Sequence, residues 1–212
     1  MKMSARFADA FAFANELHRD QTRKGNTIPY ISHLMSVSAL VLEHGGDEDQ
    51  AIAGLLHDAV EDQGGLATAR LIEEKFGRRV RDIVLACTDA APEPGERKIQ
   101  WAERKQAYVE HLPTLPEDAA VVVVCDKLHN LACLIADLER EGPGTLDRFE
   151  QPSGLVWYYA SVAEALEGIA PAEPLRSLPD RAGRPAAKLP MPLPARRLCF
   201  AQGHRVRSIR AR

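Results

Sequence analysis

The chain has 212 residues, 45% apolar and 27% charged, with a formal charge of −3. This suits one soluble domain with an appendage, and the longest unbroken apolar run falls far short of a bilayer span. Cys87, Cys125, Cys133 and Cys199 form no C-x-x-C pair, which excludes a zinc ribbon or redox motif and leaves reduced, mostly buried thiols.

The N-terminal stretch MKMSARFADAFAFANELHRD carries Asp9 and Glu16 and has no signal-peptide core or cleavage site, so a cytoplasmic protein is expected. Residues 4–20 repeat apolar side chains at helical spacing, with Ser4 as N-cap. RKGNTIPY (23–30) reads as a loop, and a helix follows from about Tyr30 to His44, stopped by Gly45-Gly46. DEDQ (47–50) loads the next helix start with carboxylates, and that helix is expected to run unbroken to Asp62 before Gly64-Gly65.

Shorter helices are predicted over 67–76 and 78–88, parted by Gly77; 91–97 is a proline-rich loop; a helix over 98–111 stops before Pro113. Residues 116–141 read as one long apolar helix, although the valines at 121–124 would also suit a buried strand with a partner. The last helix is predicted over 146–168. The fold class is therefore all-α, about eight helices with no sheet, in a domain spanning 1–170.

Residues 171–212 differ from that body. They hold ten Lys/Arg against two Asp/Glu and seven of the fourteen prolines, formally +8, which leaves the body at −11. Such a tail is expected to be disordered or loosely docked. It suits RNA or an acidic partner, and equally a solvated segment folded back on the acidic body.

Chemistry is concentrated in LLHDAVED (55–62), where His57, Asp58, Glu61 and Asp62 follow a buried-looking run. Burying such groups is costly unless they are paired or metal-bound. On a continuous helix, with His57 at zero, Glu61 falls at about 40°, Asp58 at about 100° and Asp62 at about 140°, all on one side. Further ligands must come from other helices. His33 and Asp126 each interrupt an apolar stretch, and Asn130 follows Asp126 one turn on.

His33, His57-Asp58 and Asp126 resemble the H…HD…D pattern of the HD superfamily of metal-dependent phosphohydrolases. The stretches HRDQTRKGNTIPYISHL, GLLHDAVED, ERKQAY and DKLHNL narrow this to the stand-alone hydrolases of the Rel/Spo alarmone family, over about residues 5–168. The resemblance implies an HD-domain helical bundle and a single cation, usually manganese, held by His33, His57, Asp58 and Asp126. The ion would activate a water and polarise a phosphate. Glu61 would orient or deprotonate that water and Asp62 assist. The reaction implied is release of pyrophosphate from the 3′ position of a guanosine or adenosine 3′,5′-bis(diphosphate).

By the same resemblance Arg23 and Lys24 would meet the purine and phosphates, Asn130 the ribose, and Arg104 and Lys105 the 5′-phosphates. Tyr158 would border the substrate or pack with Trp157 and Tyr159. His18 and His129 are taken as structural or supporting residues. A chain of this length has no room for the synthetase domain of the long family members, so degradation alone is expected. The partner is a small nucleotide; no membrane is expected, and nucleic acid only through the tail. Two other classes stay open: an HD nucleotidase acting on ordinary nucleotides, and a non-catalytic nucleotide- or partner-binding module.

Overall fold

A computed structural model describes residues 2–89 and 100–166. The loop expected at 91–97, the boundary at 170 and the basic tail lie outside the described residues, as does Cys199. Among the described residues there are nine α-helices and no strand; one isolated antiparallel bridge joins Thr22 to Pro29.

The helix α1 (Ala5–Leu17) starts where Ser4 accepts a hydrogen bond from the Arg6 backbone N–H. Next come α2 (Ile31–Glu43) and α3 (Glu48–Leu56). Asp47 and Gln50 form a reciprocal capping box at the start of α3. The two helices close tightly. A Cβ on Gly54 would lie 3.0 Å from Ser38 Cα, and the Ser38 hydroxyl donates to the Ala51 carbonyl at 2.8 Å.

The helix expected to be continuous to Asp62 is not. It stops at Leu56, and a separate turn, α4 (Ala59–Asp62), follows; this break is why nine helices stand where eight were expected. Asp58 at the junction has φ −94° and ψ −2°, outside helical values. Then follow α5 (Gly65–Phe76) and α6 (Arg78–Cys87), parted by Gly77 at φ +92° as predicted, and α7 (Trp101–His111).

The long helix α8 (Glu117–Glu141) settles the valine run. Ala119, Val121, Val122 and Cys125 pack into a first core with α1–α6. Ala120, Val123, Val124, Leu128 and Leu131 pack into a second core with α7 and the last helix, α9 (Leu155–Leu166). A helix buried on both sides is apolar all round. By length and composition α8 would also cross a membrane, but most of its apolar window is buried inside the fold.

The last expected helix also needs correction. Residues Pro143–Arg148 and Pro152–Gly154 form 3₁₀ turns, and α9 begins only at Leu155. Pro152 disfavours the α conformation at Gln151, which sits at φ −136° and ψ +77°.

Candidate metal centre and substrate cleft

Three helices bring the expected ligands together at the seam between the two cores. His33 stands in the first turn of α2, His57 and Asp58 occupy the break after α3, and Asp126 lies midway along α8. The break presents the pair: His57 still has helical dihedrals (φ −59°, ψ −32°), Asp58 leaves them, and both side chains come to face His33 of α2 and Asp126 of α8. Ligand atoms of His33, His57 and Asp58 all lie within 4.8 Å of one another. Asp58 Oδ2 is 2.9 Å from His57 Nε2 and 3.6 Å from His33 Nε2. Asp126 Oδ1 is 3.2 Å from His33 Nε2 and 3.6 Å from His57 Nε2.

This donor set fits a divalent cation. Despite those distances, His33 Nε2 and His57 Nε2 are buried with no hydrogen-bond partner. Such orphaned nitrogens are rare without a ligand. Their other ring nitrogens are engaged. His57 Nδ1 lies 2.9 Å from the Gly54 carbonyl and donates to it, which leaves Nε2 as the free ligand atom. His33 Nδ1 lies 2.8 Å from His129 Nδ1. Burial, with His33 and Arg23 adding to it, pushes the His129 imidazole down to about 4. A His33 that offers Nε2 to a cation carries its proton on Nδ1 and donates it to His129 Nδ1. The carboxylates give the centre excess negative charge. Burial alone would lower the His57 pKa, but Asp58 and Asp126 raise it well above its usual value.

Supporting groups fix both carboxylates. The Tyr30 hydroxyl donates to Asp58 Oδ2 at 2.6 Å, and its ring stacks on buried His18 at 5.3 Å. Lys127 Nζ donates to Asp126 Oδ2 at 2.6 Å, and Asn130 Nδ2 to Asp126 Oδ1 at 2.5 Å.

Glu61 and Asp62 diverge. Glu61 turns to the α7 side, where Arg104 Nη1 lies 3.4 Å from it and the Asp89 backbone N–H donates at 3.3 Å. Burial, then Asp58 and Asp89, push its carboxyl up to about 7. Asp62 turns the other way and accepts from Gln21 Nε2 at 2.8 Å; Gln21 in turn contacts His18 and Gln63.

The centre opens into a cleft of about 640 Å³. Every residue expected to touch substrate lines it. Arg23 and Lys24 ride on a small turn closed by Arg23 N–H to the Ile28 carbonyl at 2.8 Å. Arg23 stacks over Tyr30 and donates to Asn130 Oδ1 at 2.6 Å; Lys24 stands over the Phe149 ring. Arg104 and Lys105 are not an exposed helix face; both donate to Asp89 Oδ2, at 2.6 and 2.5 Å. Tyr158 is buried among Trp101, Tyr108 and Tyr159, while Trp157, the expected neighbour, points outward and is 40% exposed. Sequence reasoning assigned no role to Tyr30, Asp89, Tyr108 or Lys127. DKLHNL was singled out, but nothing in it marked Lys127 apart from an ordinary surface lysine.

A family model of the HD domain matches residues 10–152, more than half of the chain. The chain belongs to the HD domain family. In this HD domain the His57-Asp58 pair sits at the helix break described above. Its relatives include the guanosine-3′,5′-bis(diphosphate) 3′-pyrophosphohydrolase MESH1 of Xenopus tropicalis, 38% identical over 66% of this chain and 73% of that protein. The Homo sapiens protein of the same name is 33% identical over 78% of this chain and 87% of its own length. A solved structure of a metazoan orthologue of SpoT that hydrolyses ppGpp superposes with a TM-score of 0.70 at 27% identity, covering 89% of this chain and 99% of that one.

Proposed function

We propose that this HD domain hydrolyses guanosine 3′,5′-bis(diphosphate) at the 3′ position, releasing pyrophosphate, with one divalent cation held by His33, His57, Asp58 and Asp126. The observation that carries the reading is the meeting of those four side chains beside Glu61, in a cleft whose other charged walls are mainly basic. The activity named for the relatives supports the same substrate.

When bound, the cation would acidify a water and withdraw charge from the phosphate. The chain supplies the rest. Glu61, with its carboxyl near neutrality, takes the proton of the attacking water. Asp62, tied to Gln21, assists from the other side of the break. Arg23 offers a planar cation for stacking on a purine, and its bond to Asn130 aligns that stack with α8. Stacking reads a purine face rather than its edge, so adenosine 3′,5′-bis(diphosphate) is a second substrate of this reading.

Two imidazoles and two carboxylates without a thiolate suit manganese as the ion. A nucleotide substrate and reduced cysteines suit the cytoplasm.

The test is pyrophosphate release from the guanosine and adenosine compounds with manganese, for wild type and Glu61→Ala/Asp62→Ala. Release from wild type that falls by about a hundredfold or more in the double variant supports the reading. Release only from ordinary nucleotides would replace it with a nucleotidase.

A further inference from the structure

The loop that carries Arg23 and Lys24 belongs to no helix and is pinned at its base by the Thr22–Pro29 bridge. At its tip the chain turns through Gly25, at φ +76°. A Cβ there would fall 2.6 Å from Arg148 Cδ and 3.1 Å from Arg148 Cβ, so the Gly25 backbone lies directly on the aliphatic stem of that arginine. Left-handed φ and a missing Cβ are both needed at this tip, and glycine supplies them. Lys24, beside it, stands 5.6 Å over the Phe149 ring, and the Arg148 guanidinium lies over the same ring at 5.4 Å. An exposed loop thus rests its tip on two consecutive residues from the segment after α8.

Arg148 is fixed at its other end. It closes the 3₁₀ turn Pro143–Arg148, and its Nη2 donates to Asp137 Oδ2 of α8. Asp137 is itself tied: Oδ1 accepts from Arg140 at 2.6 Å, and its carbonyl accepts from the Thr145 hydroxyl at 3.4 Å. The Arg148 side chain is only 16% exposed, and its Nε is buried without a partner. A long side chain gives up its rotamer freedom only where something holds it. Here the ion pair holds the head, and the stem becomes a shelf for Gly25.

Asp137 lies two helical turns beyond Asn130 on the same face of α8. Asn130 takes Arg23 from this face. The long helix therefore supports the loop twice, at Arg23 through Asn130 and at the tip through Asp137 and Arg148. We propose that Arg148, held by Asp137, is the positioning residue of this loop: it fixes Gly25 against α8 and so sets where Arg23 meets the purine. Its partners are Asp137, Gly25 and Phe149, not the metal centre or Glu61, so its effect falls on binding and not on the chemical step.

This role rests on the hydrolase reading, but one of its readouts needs no turnover. Steady-state kinetics with manganese would compare full-length wild type, Arg148→Ala, Arg148→Lys, Arg23→Ala and the double variant Arg148→Ala/Arg23→Ala. The substrates are guanosine 3′,5′-bis(diphosphate) and guanosine 3′-diphosphate. Arg148→Ala should raise KM roughly fivefold on both, with kcat within about twofold, because the base is common to them. Arg148→Lys, which keeps a stem and a charge for Asp137, should recover most of the loss. In the Arg23→Ala background the same substitution should cost less than about twofold, since the loop no longer carries the group being placed. Gly25→Ala disturbs the contact from the other side and should raise KM likewise, which carries the test if Arg148→Ala does not fold. A penalty confined to the substrate with 5′-phosphates would make Arg148 a phosphate ligand and overturn the proposal. So would full additivity with Arg23→Ala, or a fall in kcat with KM unchanged. Amide hydrogen exchange supplies the reading without turnover: residues 21–30 should exchange faster in Arg148→Ala, with α2 and α3 unchanged. Wild type that turns over neither substrate would sink the hydrolase reading; unchanged exchange at 21–30 would sink the positioning role.

Discussion

His129 shows how a single imidazole can set another's chemistry. With His33 bound to a cation through Nε2, His129 Nδ1, 2.8 Å from His33 Nδ1, would accept the His33 proton on the far side of the ring from Asp58 and Asp126. Partners of this kind are typically worth 10–100-fold in metal affinity. His129→Phe should therefore weaken manganese binding by roughly tenfold or more, while His129→Gln, which keeps an acceptor, loses less. Competition titration against a chelating dye measures this; equal affinities for the two variants would mean the contact is only packing. The four side chains proposed as ligands were singled out because they interrupt apolar stretches and together resemble the H…HD…D pattern. His129 was not, since its partner lies 96 positions away in sequence. Local pattern carries no trace of such a pairing.

The break at His57-Asp58 is the element that periodicity missed. A single 3.6-residue repeat fits the whole of 47–62, yet the chain leaves helical geometry at Asp58. The reason is tertiary: Asp58 is bonded by Tyr30 and aimed at the centre, and a regular helix would leave its side chain elsewhere. The start of α3, by contrast, was written locally. Burial would raise the Asp47 pKa, but the Gln50 backbone N–H and Arg79 outweigh it and hold the carboxyl below its usual value. A depressed carboxyl adds stability above its unfolded pKa and loses it as pH falls through the folded one. The gap between wild type and Asp47→Asn should thus be full at neutral pH and close below about pH 3.8. Denaturant melts at several pH values would show it, and a gap that persisted in acid would refute the assignment.

Across the domain, the centre links α2, the α3–α4 break and α8, so an ion there ties the two cores together. Buried carboxylates and unpartnered imidazole nitrogens are a cost that the ion removes. A ligand that binds only the folded state at 100 times its Kd stabilises by about 2.7 kcal/mol, or roughly 5–11 °C for a domain of this size. Manganese should raise the melting temperature by about that much and EDTA should reverse it. In His57→Ala the shift should vanish; a shift of equal size there would place the ion elsewhere. The cleft also reconciles an acidic body with an anionic substrate. Apart from Arg140 and Arg148, which pair with Asp137, its basic groups are gathered at two places, Arg23-Lys24 and Arg104-Lys105-Lys127, and field inside a concave wall outweighs distant surface charge.

Sequence was enough for the all-α class, most helix bounds and the cap at Ser4, each a local matter of period and turn chemistry; the four side chains that meet at the centre were singled out by their pattern and by the resemblance it carries. Folding was needed to break the helix at 57–58, to send Glu61 and Asp62 to different neighbours, to make valines 121–124 the wall between two cores and to bring Arg148 against Gly25. Those outcomes depend on which helices meet, and contacts between residues far apart in the chain set them.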